Sequence, residues 1–193
     1  WSVLLDLESD LGQYGFAGQV GQSPTPPTGG MFKVDRFQVV ERMPQKHEIE
    51  QIVRYWDKAG TDADSSGSKN AAFTVGCKMA KLSNGTYLIM NVVRGQWSSD
   101  ERESKIRQTA EADGRRVLIG VEQEPGSGGK ESVESTIKNL SGFTVVADRP
   151  TGDKVYRADP YSVQVNYRNV LLLQADWTSD FKSEHRFFPH GTH

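Results

Sequence analysis

The chain has 193 residues, 36% of them hydrophobic and 25% charged, which is the balance of a folded globular protein with its own core rather than a disordered or fibrous one. A net charge of −2 gives no bulk electrostatic pull toward nucleic acid, so any such contact must come from a local basic face. No stretch approaches the roughly 18 apolar residues of a membrane span, and the single cysteine, Cys77, excludes an internal disulfide and a cysteine-based zinc cluster.

In chain order, Trp1 to about Pro44 is punctuated by glycine and proline. Its first ten residues, WSVLLDLESD, read as the tail of a helix, and Ser23 to Gly30 as a turn-rich connection. This segment is expected to wrap on a neighbouring body as a linker, with the domain proper starting near residue 47. Strand character begins with Ile52, Val53, Tyr55 and Trp56, a β-prone run that ends at Asp57 before the loop GTDADSSGSKN. Asp62 and Asp64 in that loop look like a fragment of a calcium loop, but its closing Glu is missing, so they are read as solvated. The next run places Phe73, Val75, Cys77 and Met79 on one face, which makes Cys77 a packed thiol rather than a nucleophile. Asn84-Gly85 marks a hairpin into TYLIMNVV, giving three antiparallel strands.

Ser98 to Glu101 has capping-box spacing, and Ile106 and Ala110 follow on one narrow apolar stripe, so a surface helix is expected there. It serves as the crossover that a parallel strand requires. Val117 to Val121 is that strand, an apolar run uniform enough to lie inside a sheet covered on both faces, and Glu122 stands where it stops. Pro125, Gly126, Gly128 and Gly129 break the run before a helix expected from about Glu131 to Leu140. The glycines do not match GxGxxG, and Lys130 is followed by Glu131, so no phosphate loop is present. On pattern alone, this turn is either an ordinary solvated connection or a site beside a carboxylate. A strand at Phe143 to Ala147, a helix from Lys154 to Val165 interrupted by Pro160 near its start, and a short strand Val170 to Leu173 complete the order. The expected class is α/β, a mixed sheet of three antiparallel strands followed by parallel ones, with helices on both faces.

Asp57 and Glu122 each end a strand. In such sheets ligands gather outside the carboxyl ends where strand order reverses, and two carboxylates meeting there would supply hard oxygen ligands for Mg²⁺ or Mn²⁺. Asp57 closing the first strand of a hairpin sheet, then VEQEPGSGGK, VYRADPYSVQV, NVLLL and FFPHGTH, resemble the nuclease domain of the large terminase subunit of tailed double-stranded DNA bacteriophages. The leading QYGFAGQVGQSPTPPTGGMF is similar to the stretch that joins that family's packaging ATPase to its nuclease. The resemblance covers essentially the whole chain and rests on the combination of segments.

The resemblance implies a ribonuclease H-like fold and a divalent-metal-dependent endonuclease that cuts concatemeric viral DNA during packaging, using two ions of Mg²⁺ or Mn²⁺. It implies a linker at 1–46 from a missing packaging ATPase domain, a nuclease domain at 47–193 cut short at its end, double-stranded DNA as substrate, and the small terminase subunit and portal as partners in the host cytoplasm. Asp57 and Glu122 take the family's catalytic, metal-holding positions, with Glu124 as the true or an auxiliary ligand. The family's third acid directly follows a segment like PHGTH, so it is expected just beyond His193; Asp176 and Asp180 are the nearest upstream acids and read as helix-cap or surface residues.

His193, and less so His190, are further candidates near the metal. His47 and His185 lack acidic strand-end neighbours and are read as structural. Lys130, Arg94 and Arg102 are candidate DNA-phosphate contacts, weighed against ordinary salt-bridged surface residues. Tyr55, Trp56 and Trp97 are read as core packing rather than base-stacking platforms. Two other readings stay open: a Holliday-junction resolvase-like nuclease of the same fold, and a non-catalytic module that docks on DNA or the portal.

Overall fold

The computed structural model describes residues 30–58 and 72–189. The expectations for Asp62, Asp64, His190 and His193 lie outside these residues. A 3₁₀ turn at Val34–Arg36 leads into β1 (Gln38–Val40), and β2 (Ile49–Asp57), β3 (Thr74–Leu82) and β4 (Tyr87–Gly95) form the antiparallel meander. Helix α1 (Ser99–Asp113) crosses to β5 (Leu118–Glu122), α2 (Ser127–Asn139) to β6 (Val145–Asp148), and α3 (Lys154–Asn166) to β7 (Val170–Leu173), which is followed by α4 (Thr178–Phe187). These strands make one seven-stranded sheet in the order β1-β7-β4-β3-β2-β5-β6. Only β3 runs against the others. The mixed α/β sheet is therefore as expected, with one more strand and one more helix than the sequence order predicts.

The local signals account for most elements. The Ser98 backbone N–H donates to Glu101 Oε2 at 3.1 Å, completing the capping box that starts α1. The connection between β3 and β4 turns at Gly85, whose φ of 84° is in the left-handed region that glycine occupies without strain. Helix α2 starts at Ser127 rather than near Glu131, so the glycine turn is its first turn. A side chain at Gly129 would run into the Glu124 carbonyl, which explains why glycine stands there.

Strand alternation sorts the core onto two faces. Trp56, Ile119 and Val121 point to one face and are covered by Ile106 and Ala110 of α1 and by Val133 and Leu140 near α2. Ile89 and Leu172 point to the other, beneath Phe32, Val34, Phe37 and Val165. Tyr161 of α3 and Phe181 of α4 close over this second cluster, as does His185, whose Nδ1–H donates to the Phe181 carbonyl at 2.7 Å. Burial pushes the His185 imidazole below its ordinary value, so it serves as a neutral core residue, in line with its structural reading. Cys77 packs against the same cluster, and burial pushes its thiol up to about 11, consistent with a packed and unreactive group.

The segment expected as a linker contributes to this body from Met31 onward. Phe32, Val34 and Phe37 are core residues, and β1 pairs with β7 in parallel. Asn166 at the end of α3 fastens the segment, accepting from the Lys33 N–H at 2.9 Å and donating to the Met31 carbonyl at 3.2 Å.

One buried ion pair ties α1 to the sheet. Arg54 in β2 donates from Nε and Nη2 to the two carboxylate oxygens of Asp113, at 2.7 and 3.1 Å, and Lys78 reaches the same group at 2.8 Å. The remaining guanidinium donors meet the Gly76 carbonyl at 3.0 Å and Asn91 Oδ1 at 2.9 Å. Burial alone would raise the Asp113 carboxyl, but hydrogen bonds and charge from Arg54 and Lys78 outweigh it and hold the group below its usual value. Its contribution is thus present at neutral pH and is lost as acid titrates it. Asp113→Ala strands Arg54, whose side chain is 2% exposed, and is expected to cost about 3–5 kcal/mol in urea unfolding. The cost should shrink as pH falls through the carboxylate range.

Candidate functional site

The register of two parallel ladders builds the site. β2 and β5 pair from Val53 with Leu118 to Trp56 with Val121, so the next residues, Asp57 and Glu122, end adjacent strands side by side. Neighbouring strands lie about 4.8 Å apart, which lets two such carboxylates converge. β5 and β6 pair up to Glu122 with Asp148. Three carboxylates therefore stand in a row on one face of the sheet edge. Asp148 was missed from the sequence, although it ends the apolar run Val145–Ala147 just as Glu122 ends its own.

The three acids are not equivalent. Tyr55 lies across Gly120, where a Cβ would meet its ring at 2.7 Å, and its hydroxyl donates to Asp148 Oδ2 at 2.7 Å. Burial and this bond to a carboxylate push the Tyr55 phenol upward, so it stays protonated and keeps Asp148 engaged. Glu122 is raised from its usual value, first by burial and then by repulsion from Asp57, with Arg157 and Lys154 opposing. Asp57 is open to solvent, yet enough protein surrounds it to penalise its charged form, and the same two cations oppose that shift. Arg157 Nη1 lies 3.7 Å from Glu122 Oε2. A mutually repelling pair of oxygen donors with raised carboxyls fits a divalent cation, which would relieve the repulsion. Among the described residues no third His, Cys, Asp or Glu joins the pair in a metal-ligating group.

On the opposite face, the buried Lys58 follows Asp57 directly. Its ammonium donates to the Ser132 carbonyl at 3.0 Å, Ser132 Oγ at 2.7 Å and Thr136 Oγ1 at 2.8 Å, and lies 3.6 Å from Glu103. Burial pushes it below the ordinary lysine value, against the attraction of Glu103. Lys58 thus binds the end of β2 to both α1 and α2. Nothing in the sequence marks it, because its partners come from two distant helices.

The other sequence candidates fall elsewhere. Glu124 is exposed and its charge acts on Lys58. Lys130 is on the solvent side of α2, 62% exposed and 3.7 Å from Glu134. Arg102 is buried in the first turn of α1, on the face away from the carboxylates, and its charge acts on Lys58. Arg94 shares the face of Asp57, two strands away by register, where it pairs with Glu184 of α4 at 2.7 Å and lies over the Phe73 ring. Trp56 and Trp97 pack in the core, as expected.

No protein-family model matches the chain, and no curated protein matches it in sequence. Solved structures do match in fold. The nuclease domain of the P22 large terminase superposes with a TM-score of 0.60 at 9% identity, over 83% of this chain and 79% of that one. The large terminase nuclease of the thermophilic phage G20c, with bound zinc, gives 0.52 at 9% identity over 83% and 88%. Its magnesium-bound structure gives 0.51 at 10% identity over 83% and 81%. The chain therefore has the ribonuclease H-like fold of large terminase nuclease domains.

The coupling between the two strand-end acids is measurable. Both raised carboxyls add stability that is present below the ordinary carboxylate range and lost as pH rises through their folded values. Asp57→Asn removes the repulsion on Glu122, so carboxyl NMR should show the Glu122 midpoint moving down. The loss of stability with rising pH should also be smaller in the variant.

Proposed function

We propose that the protein is a divalent-metal-dependent endodeoxyribonuclease of viral genome packaging. The observation that supports this most is the Asp57–Glu122 pair, set side by side at the carboxyl ends of adjacent parallel strands in a fold shared with terminase nucleases. Structures of that fold carry zinc or magnesium, and the two carboxylates here are suited to Mg²⁺ or Mn²⁺.

Asp57 and Glu122 would hold the metal, one ion or two, which supplies Lewis-acid stabilisation of charge on the phosphoryl oxygens. The chain's own part is to fix the two carboxylates. The β2–β5 ladder sets their spacing, and Lys58 anchors the end of β2 from behind. In the proposed hydrolysis the oxygen of water bonds to phosphorus as one P–O ester bond breaks. The water proton passes to solvent and the leaving sugar oxygen takes one up, so no protein nucleophile is required. Asp148, held by Tyr55, flanks the pair and adds to the negative potential that recruits cations. A supporting role for His193 belongs to the same proposal, as do double-stranded DNA as substrate, the small terminase subunit and portal as partners, and the host cytoplasm as the place of action.

Conversion of supercoiled plasmid to nicked and linear forms tests the proposal. Cutting is expected with Mn²⁺ or Mg²⁺, none with EDTA, and a fall of about 10²- to 10³-fold for Asp57→Asn, the scale lost when an electrostatic stabiliser of the transition state is removed. Retained cutting by a folded Asp57→Asn protein overturns the assignment. Salt-sensitive DNA binding without any cutting would point instead to a docking module.

A further inference from the structure

Helix α3 opens beside the carboxylates with two cations that the function has not yet used. Asp153 caps it by accepting from the Tyr156 N–H at 2.7 Å, and Lys154 and Arg157 follow three residues apart, on one side of the first turns. The charge of each is felt by both Asp57 and Glu122. Two arginines of this chain can be contrasted. Arg54 has its fork satisfied by Asp113, Asn91 and a carbonyl. Arg157 does not: its Nη1 stays 3.7 Å from Glu122, beyond the roughly 2.7–2.9 Å of a charge-assisted hydrogen bond. Its Nε is buried with no hydrogen-bond partner among the described residues.

A half-buried guanidinium with unused donors, directed at a carboxylate pair without closing on it, suits an anionic ligand that arrives at that pair. Planar, forked donors match phosphate oxygens better than a point charge does. We propose that Arg157, assisted by the exposed Lys154, grips the non-bridging oxygens of the DNA phosphodiester held at Asp57 and Glu122. This rests on the nuclease reading for its substrate. Arg157 thereby fixes the phosphate against the carboxylates, while Lys154 engages the backbone next to it.

Two measurements on the full chain test the grip. The first is binding of a fluorescent DNA duplex in EDTA across a KCl series. Arg157→Gln and Lys154→Gln should each make the logarithmic salt dependence shallower by about one, the loss of one phosphate contact. The second is plasmid cutting with Mn²⁺, expected to fall about 10²-fold in Arg157→Gln. Arg157→Lys should restore the salt slope but not the cutting, because charge returns without the fork. Mn²⁺ affinity by calorimetry should be unchanged or tighter in Arg157→Gln, since a competing cation is gone. Unaltered slope and cutting in Arg157→Gln overturn the proposal, and so does weaker Mn²⁺ binding in step with lost cutting, which would make Arg157 an organiser of the carboxylates. Lys154 is exposed, so its variant tests the slope even where Arg157→Gln fails to fold. If Asp57→Asn cuts as well as the wild type while Arg157→Gln still flattens the slope, the grip stands and the hydrolytic reading falls.

Discussion

The parallel pairing of β2 with β5 is the constraint on which the rest of the molecule depends. Parallel neighbours cannot be joined by a tight turn, so the chain must travel out through β3 and β4 and return through α1 before β5 can lie beside β2. That detour is held at three places. A capping box starts α1, Arg54 receives its last residue, Asp113, and Lys58 fastens the end of β2 to both α1 and α2. The Arg54 and Lys58 contacts are buried and satisfied, and the capping box is closed at the surface. Together they fix the register that sets Asp57 beside Glu122.

The two faces of the sheet near this point differ in how far their charges are matched. Behind the site, Arg54, Lys58, Lys78, Glu103 and Asp113 form closed networks. In front of it, Asp57 and Glu122 repel one another, and Arg157 offsets Glu122 only through a loose ion pair at 3.7 Å. Leaving like charges partly buried and incompletely matched costs stability, and such arrangements concentrate where a ligand completes them. Rigidity on one face and electrostatic incompleteness on the other are what the proposed metal site requires.

The parts of this that were legible in the sequence are those with local causes. Asp57 and Glu122 could be picked out because each ends a β-prone run before a break, and α1 because its capping box and its Ile106–Ala110 stripe lie within one short window. What was missed depends on partners far along the chain. β1 has three residues and pairs with β7, so no periodicity announces it. Asp148 ends a short edge strand whose residues are mostly exposed, which weakens the apolar signal that marked Glu122. The start of α2 was hidden by Gly128 and Gly129, which read as a turn; close packing against the Glu124 backbone shows why glycine stands at 129. Arg102 looked like a surface cation because sequence does not say which side of a helix turns inward.

The leading segment also bears on the site, through α3. The first turn of that helix carries Lys154 and Arg157 to the carboxylates, so their position depends on how its other end is held. There Val165 is fully buried against Phe32, Val34 and Phe37, Tyr161 stacks at an angle on Phe32 with ring centroids 5.2 Å apart, and Asn166 grips the backbone at Met31 and Lys33. Proline at position 160 removes one hydrogen bond from the middle of the helix, so the half that bears the cations gains less support from its own ladder than an uninterrupted helix would give. Residues 31–37 therefore act as a clamp on α3 at a distance from the carboxylates. A change that loosens Asn166 would reach the carboxylate pair through the tilt of α3, because the β2–β5 ladder is held from the other face.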